Sequence, residues 1–140
     1  MVVLKRAYVA AAPSDGARVL VERLWPRGVK KETARIHWWP KELAPSTELR
    51  EWFHAHPRMW RQFRDKYLKE LRQTEAESAL DRLYELAAAR KRVTLVFGSR
   101  DTEHNSAVVL KELLDGMRKP PSSSGPERAA APARMRAKKP

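Results

Sequence analysis

Two short stretches of this 140-residue chain carry the side chains best suited to chemistry. The first, Arg23-Leu24-Trp25-Pro26-Arg27-Gly28, sets two arginines beside a tryptophan in a loop stiffened by proline. A guanidinium presents a planar fork that matches a carboxylate or a phosphate, and an indole can wall a pocket or stack on a ligand. Arg23 and Arg27 are therefore candidate anion-binding groups, and Trp25 a candidate ligand contact. The second stretch, Gly98-Ser99-Arg100-Asp101-Thr102-Glu103-His104-Asn105, lies between an apolar run and a helix-like segment. Glycine permits close backbone approach, and a helix start offers free N–H groups with partial positive charge. Here Asp101 and His104 are the candidates for catalytic acid–base work, and Asn105 is the candidate for orienting a ligand. Each residue also has a structural alternative. Trp25 and Pro26 can pack on the core, the arginines can pair with acids such as Glu22, and Asp101 or Asn105 can simply cap the helix.

Other chemistries find less support. The glycine-rich stretch lacks the Gly-Lys-Ser/Thr ending of a nucleotide-binding phosphate loop. The remaining histidines are His37, His54 and His56; His54 and His56 are two apart and do not share a helix face, so no metal site is expected. Ser46 and Ser99 lack the Gly-x-Ser-x-Gly setting of a serine nucleophile. There are no cysteines, which excludes thiolate metal sites, disulfides and cysteine nucleophiles. No cofactor motif is present, and none is expected to be bound.

The elements that must position these residues follow from periodicity. Val2–Tyr8 and Arg18–Leu24 read as strands, separated by the turn-like Ala12-Pro13-Ser14-Asp15-Gly16. Pro45–His56 reads as a short helix capped by Ser46, with Leu49, Trp52 and Phe53 on one face. Pro57 fits the first position of a second helix, which spaces Trp60, Phe63, Tyr67 and Leu71 along an inward stripe. Glu75–Arg90 reads as a third helix, with Leu80, Leu83, Tyr84 and Ala87 facing inward. Arg92–Phe97 is an apolar run of the kind buried on both faces of a parallel sheet. A last helix should bury Val108, Val109, Leu113 and Leu114. The order predicts an α/β fold, a small layered domain with a short, mainly parallel sheet flanked by helices. Such sheets bind ligands beyond the carboxyl ends of their strands, which is where both chemistry-bearing stretches fall.

Charge adds a rival reading. The net charge is +12, and half of it belongs to residues 117–140, where Arg118, Lys119, Arg128, Arg134, Arg136, Lys138 and Lys139 face only Glu127. That stretch is rich in Pro, Ser and Ala, has little apolar surface to offset its ordering entropy, and is expected to be a disordered basic tail. The α/β domain is expected to occupy 1–116. The helix after Pro57 carries Arg58, Arg61, Arg64, Lys66, Lys69 and Arg72. With the tail it offers a non-catalytic nucleic-acid-binding or regulatory module as the alternative to a small-ligand site; a solvated face broken by Asp65 and Glu70 is the plainer account. The N-terminus lacks the order of a secretory signal and no apolar run approaches the roughly 20 residues of a membrane span. The expectation is a cytoplasmic protein with no membrane partner.

Taken together, several segments resemble the YeaO-like proteins, domain of unknown function 488. They are Arg23-Leu24-Trp25-Pro26-Arg27-Gly28; Leu43-Ala44-Pro45-Ser46 with Leu49-Arg50-Glu51-Trp52-Phe53; Trp60, Phe63 and Tyr67; and Asp101-x-x-His104-Asn105 with Ala107-Val108-Val109-Leu110. The resemblance spans about Val2 to Leu114 and implies no particular activity. It adds weight to Arg23, Trp25, Arg27, Asp101, His104 and Asn105, since loop residues of these types are seldom needed for packing alone. Two departures stand out: Glu22 where the resemblance implies aspartate, and Gly98-Ser99-Arg100 in place of an Ala-Ala-Lys/Arg type of sequence. Both adjoin the expected site and point to a shifted ligand preference. The resulting expectation is a pocket for an anionic, phosphate-bearing small ligand, with hydrolytic acid–base chemistry by Asp101 and His104.

Overall fold

The computed structural model describes residues 1–116, so the basic tail read at 117–140 lies outside the described residues. Three strands, β1 (Val2–Arg6), β2 (Ala17–Leu20) and β3 (Val93–Phe97), form a wholly parallel sheet in the order β1-β3-β2. The apolar run takes the centre. Every residue of β3 is buried, as a strand with neighbours on both edges and layers on both faces must be. Val2 and Ala17 both pair with Val93. The three strands thus start in line and deliver their carboxyl ends to one edge of the sheet.

Both outer strands are shorter than the sequence suggests. β1 stops at Arg6 because the Val9 N–H turns back onto the Arg6 carbonyl, 3.1 Å away. β2 stops at Leu20, although the Val21 N–H still reaches the Val96 carbonyl at 3.0 Å. The outer edge of β2 is covered by an irregular segment. The His37 N–H donates to the Arg18 carbonyl (2.9 Å), and the Leu20 N–H to the Trp38 carbonyl (2.9 Å).

The turn into β2 is tightly specified. Gly16 sits at φ +68°, and a Cβ there would meet the Arg92 carbonyl oxygen at 2.2 Å, so only glycine fits. Beside it Asp15 is buried and receives Lys5 Nζ (3.0 Å), Arg18 Nη1 (2.7 Å) and the Ala12 N–H (3.0 Å). Burial alone would raise its pKa, but the Ala12 N–H and the two cations outweigh this and hold the carboxyl below its usual range. Arg18 is itself buried within β2 and gives its Nε to the Ala34 carbonyl at 2.8 Å. The group is a paired, fully engaged ion cluster rather than a stranded charge.

Among the described residues, α2 (Thr47–Ala55), α3 (Trp60–Glu70), α4 (Thr74–Ala89) and α5 (Ser106–Gly116) follow the expected order, and a short α1 (Lys31–Ala34) in the β2–α2 connection adds a helix the sequence reading did not include. Ser46 caps α2 as read, its Oγ accepting the Leu49 N–H at 3.1 Å. Pro57 does not start α3. The His56 N–H folds back onto the Trp52 and Phe53 carbonyls, and a turn through Pro57 and Arg58 delays the helix to Trp60. In α5 Val109 and Leu114 are buried as expected, but Ala107 and Leu110 complete the inward face while Val108 and Leu113 are only half-buried. In α4 the fully inward residues are Ala76, Ala79 and Leu83, with Leu80, Tyr84 and Ala87 half-buried. No helix among the described residues is long and apolar enough to cross a membrane.

The sheet's two faces are covered differently. One carries the main core, where Val19, Val21, Leu95 and Phe97 meet side chains of α2 to α5. The other carries a smaller cluster of Ala7, Leu20 and Val96, covered by Trp25, Val29, Ile36 and Trp39 from the long β2–α2 connection. In the main core Phe63 stacks on Phe53 at 4.3 Å and continues to Trp60 and Tyr67. Tyr67 is fully buried and donates its hydroxyl to the Leu43 carbonyl. Burial, then the charges of Glu70 and Glu22, push its pKa well above 10, so it remains a donor. Phe63→Ala should therefore cost about 3–5 kcal/mol. Trp60 is only half-buried, so Trp60→Ala should cost clearly less in the same urea titration. Equal losses would contradict the graded burial of this stripe.

Candidate functional site

The carboxyl edge of the sheet is assembled by side chains that reach from one loop to another. Arg6, the last residue of β1, donates Nε to the Ser99 carbonyl (2.9 Å) and Nη2 to the Gly98 carbonyl (3.2 Å), both just after β3. Its guanidinium also lies over the Tyr8 ring, 4.9 Å from the centroid. The Tyr8 hydroxyl donates to the Arg27 carbonyl at 3.0 Å. Glu22 accepts the Gly98 N–H at 2.8 Å through Oε2. The loops following β1, β2 and β3 are thus joined pairwise into a braced rim. The two departures noted in the sequence, Glu22 and Gly98, touch each other through this last bond. An added Cβ at Gly98 would meet Glu22 Oε2 at 3.8 Å and Pro26 Cβ at 4.0 Å, which is ordinary contact, so alanine would also fit sterically.

The sequence-predicted residues separate into two groups on this edge. Trp25 and Arg27 lie with the loop-covered face. Trp25 gives its Nε1–H to the Val29 carbonyl (2.6 Å), meets Trp39 edge-on at 5.4 Å and carries Lys31 Nζ at 5.9 Å from its ring. It therefore packs the loop and walls the rim, with little ring left for stacking. Arg27 is exposed, and its guanidinium has no hydrogen-bond or ion-pair partner among the described residues. Arg23 turns the other way, giving Nε to the Pro45 carbonyl and Nη2 to the Ala44 carbonyl, both at 3.0 Å. It ties this loop to the entry of α2.

Asp101, His104 and Asn105 lie toward the helical face. Asp101 Oδ1 accepts the N–H groups of Glu103 (2.9 Å) and His104 (3.0 Å), closing the loop on itself. Those backbone donors, that of Glu103 foremost, outweigh slight desolvation and, with the His104 ring, hold its pKa below the usual range. Its Oδ2 is 3.1 Å from His104 Nδ1. Because a carboxylate only accepts, that bond requires the ring proton on Nδ1, which in the neutral ring leaves Nε2 as a lone pair. The His104 ring meets Trp60 edge-on at 5.2 Å. It precedes α5 rather than lying in its first turn. The cap is Asn105, whose Oδ1 accepts the Val108 N–H (3.1 Å) while Nδ2 donates to the Asp101 carbonyl (2.8 Å). Among the described residues no hydrogen bond or ring contact joins Trp25 or Arg27 to Asp101, His104 or Asn105. No group of three or more His, Asp or Glu side chains among them is placed to hold a metal ion.

Sequence reading missed Arg6, Tyr8 and Arg100 as rim residues. Arg6 and Tyr8 look like the end of an ordinary strand, and nothing local announces a partner 93 residues away. Arg100 is exposed and, like Arg27, lacks a hydrogen-bond or ion-pair partner among the described residues.

Comparison with known proteins fits the same segments. The family model described as "Inactive DUF488-N3 subclade" matches residues 1–132. Over 110 residues the chain is 44% identical to the uncharacterized protein YeaO of Escherichia coli, covering 79% of this chain and 93% of that one. The chain belongs to the YeaO-like DUF488 family. It is also 40% identical over 111 residues to the uncharacterized proteins Rv3073c of Mycobacterium tuberculosis and Mb3100c of Mycobacterium bovis, covering 79% of this chain and 91% of each relative. No solved structure matches the chain.

Glu22 gives this YeaO-like rim a pH signature. Burial raises its carboxyl pKa above 4.5, more than the Gly98 N–H and the Arg50 charge lower it. A raised carboxyl value means the folded state holds its proton to higher pH than the unfolded state. Stability from this group is thus full below about pH 4.5 and is lost as pH rises through the raised value. Glu22→Gln keeps an acceptor for Gly98 and removes the buried charge. In urea titrations the wild type should gain on Glu22→Gln as pH is lowered from 7 toward 4.5. A difference that does not change with pH would show that the carboxylate is not desolvated. Glu22→Ala should cost about 1–3 kcal/mol near pH 4.5 and less at pH 7, because the Gly98 N–H loses its partner while the desolvated charge is relieved.

Proposed function

We propose that this protein is a non-catalytic binding module that takes an anionic, phosphate-bearing small ligand on the braced rim. One observation carries the reading. Arg27 and Arg100, two exposed guanidinium groups without a hydrogen-bond or ion-pair partner among the described residues, stand on loops that approach each other where Pro26 nears Gly98. Two such forks on a stiff frame suit the oxygens of a phosphate, and a stiff frame lowers the ordering cost of binding.

The same geometry argues against turnover. Arg23 and Asn105 are committed to backbone groups, and Asp101 is largely consumed in holding its own loop. His104 retains one ring nitrogen but has no serine or threonine hydroxyl bonded to it among the described residues. It rests on Trp60 as a packing group does. The word "inactive" in the matching family's description agrees with a binding role. The basic face of α3 supports the nucleic-acid reading less well. Arg64 pairs with Glu112 at 3.1 Å, Lys66 lies over the Trp52 ring at 5.0 Å, and Phe63 and Tyr67 point into the core.

Calorimetry of the full chain against sugar phosphates, nucleotides and pyrophosphate tests this. Arg27→Ala should weaken the binding found by about 1.5–3 kcal/mol, roughly 10- to 150-fold. His104→Ala should leave affinity within about twofold, since its loss removes no direct charge contact. Absence of any binding at millimolar ligand overturns the proposal. So does conversion of the ligand that His104→Ala abolishes, which would make the protein an enzyme.

A further inference from the structure

Four large apolar side chains are exposed among the described residues: Met1, Tyr8, Val9 and Leu24. All except Met1 stand on the loops at the carboxyl edge. Singly exposed apolar residues need no explanation, but three gathered on one rim point to something that covers them. Of the three, only Tyr8 is held at more than one point. Its hydroxyl is fixed to the Arg27 carbonyl at 3.0 Å, and its ring is backed by the Arg6 guanidinium at 4.9 Å. Arg6 is in turn anchored on the carbonyls of Ser99 and Gly98. Even so, Tyr8 remains 50% exposed.

An exposed tyrosine ordinarily samples several rotamers, and ordering it on binding offsets part of the contact energy. Here two contacts hold the ring, and the hydroxyl's hydrogen bond is made to the backbone carbonyl of Arg27, whose guanidinium is exposed. An aromatic ring and an exposed guanidinium group therefore belong to one hydrogen-bonded loop pair. We infer that Tyr8 is the stacking surface for a planar base whose phosphate lies on Arg27, so that the rim's ligand is a nucleotide. The inference rests on the phosphate-binding reading above and adds the base to it. The same chemistry is presented by a free mononucleotide and by the end of a single strand.

The test uses the full chain in calorimetry with AMP, with ribose 5-phosphate as the same ligand lacking its base, and with a 5′-phosphorylated oligothymidylate. Stacking on one aromatic ring corresponds to roughly 5- to 150-fold in affinity, so AMP should bind tighter than ribose 5-phosphate by a factor in that range. Tyr8→Leu should reduce this advantage to less than about twofold. Tyr8→Phe, which keeps the ring and the Arg6 contact, should retain most of it, and Arg27→Ala should weaken both ligands together. Circular dichroism of each variant checks that it is folded. A strand that outbinds AMP in a Tyr8-dependent way supports the base platform with a strand as source, and the reverse order supports it with the free nucleotide. If AMP and ribose 5-phosphate bind equally and Tyr8→Leu changes neither ratio, the platform is overturned while the phosphate rim stands. If no phosphate compound binds, both are overturned.

Discussion

A single hydrogen bond, from the Gly98 N–H to the Glu22 carboxylate, joins the loops that follow β2 and β3 at the carboxyl edge of the sheet. It closes the gap beyond the carboxyl ends of β2 and β3, where the sheet's own ladder has run out. A part-buried N–H without a partner is costly, and Glu22 supplies the acceptor for Gly98. The carboxylate in turn is desolvated, and its charge is balanced only partly by the Gly98 N–H and by Arg50. The contact is thus specific without being strongly stabilising, as buried charges often are. Around it the Arg6 and Tyr8 contacts complete a frame in which three consecutive strand ends are held in fixed relation.

The frame divides the work of the arginines by what they touch. Arg6, Arg18 and Arg23 give their donors to backbone carbonyls or to Asp15, and so act as long-range staples between segments. A planar, permanently charged fork is suited to such a role because it can satisfy two acceptors at once. Arg27 and Arg100 lie beyond the staples, and their guanidinium groups have no hydrogen-bond or ion-pair partner among the described residues. A YeaO-like chain rich in arginine thus carries a well-tied loop system with two exposed guanidinium groups at one edge.

Much of the architecture was legible because it is written in local pattern. The apolar run of β3, the Ser46 cap and the spacing of Phe63, Tyr67 and Leu71 each report on their immediate neighbours, and each led to the observed element. The delayed start of α3 was not legible. It depends on the His56 N–H finding carbonyls in the preceding helix, an outcome that Pro57 alone does not announce. The inward face of α5, completed by Ala107 and Leu110, is set by packing against the sheet and helices, which local spacing left open. At the site, residue type pointed to the right loops and gave less on roles. Arg23 looks like a ligand contact in sequence because its partners, the Ala44 and Pro45 carbonyls, become neighbours only on folding, whereas the cap role of Asn105 was among the local alternatives. Arg6 and Tyr8 carry no local signal at all, since their partners come from the far end of the chain or from across a loop.

The central claim is that the rim formed by the three strand-end loops is the binding surface. Amide chemical-shift mapping of the labelled protein during titration with AMP tests it most directly. The account predicts shifts concentrated at Ala7–Val9, Arg27–Val29 and Gly98–Arg100, with α3 silent. Shifts centred instead on the basic residues Arg58, Arg61 and Arg72, or no shift at saturating millimolar nucleotide, would contradict it.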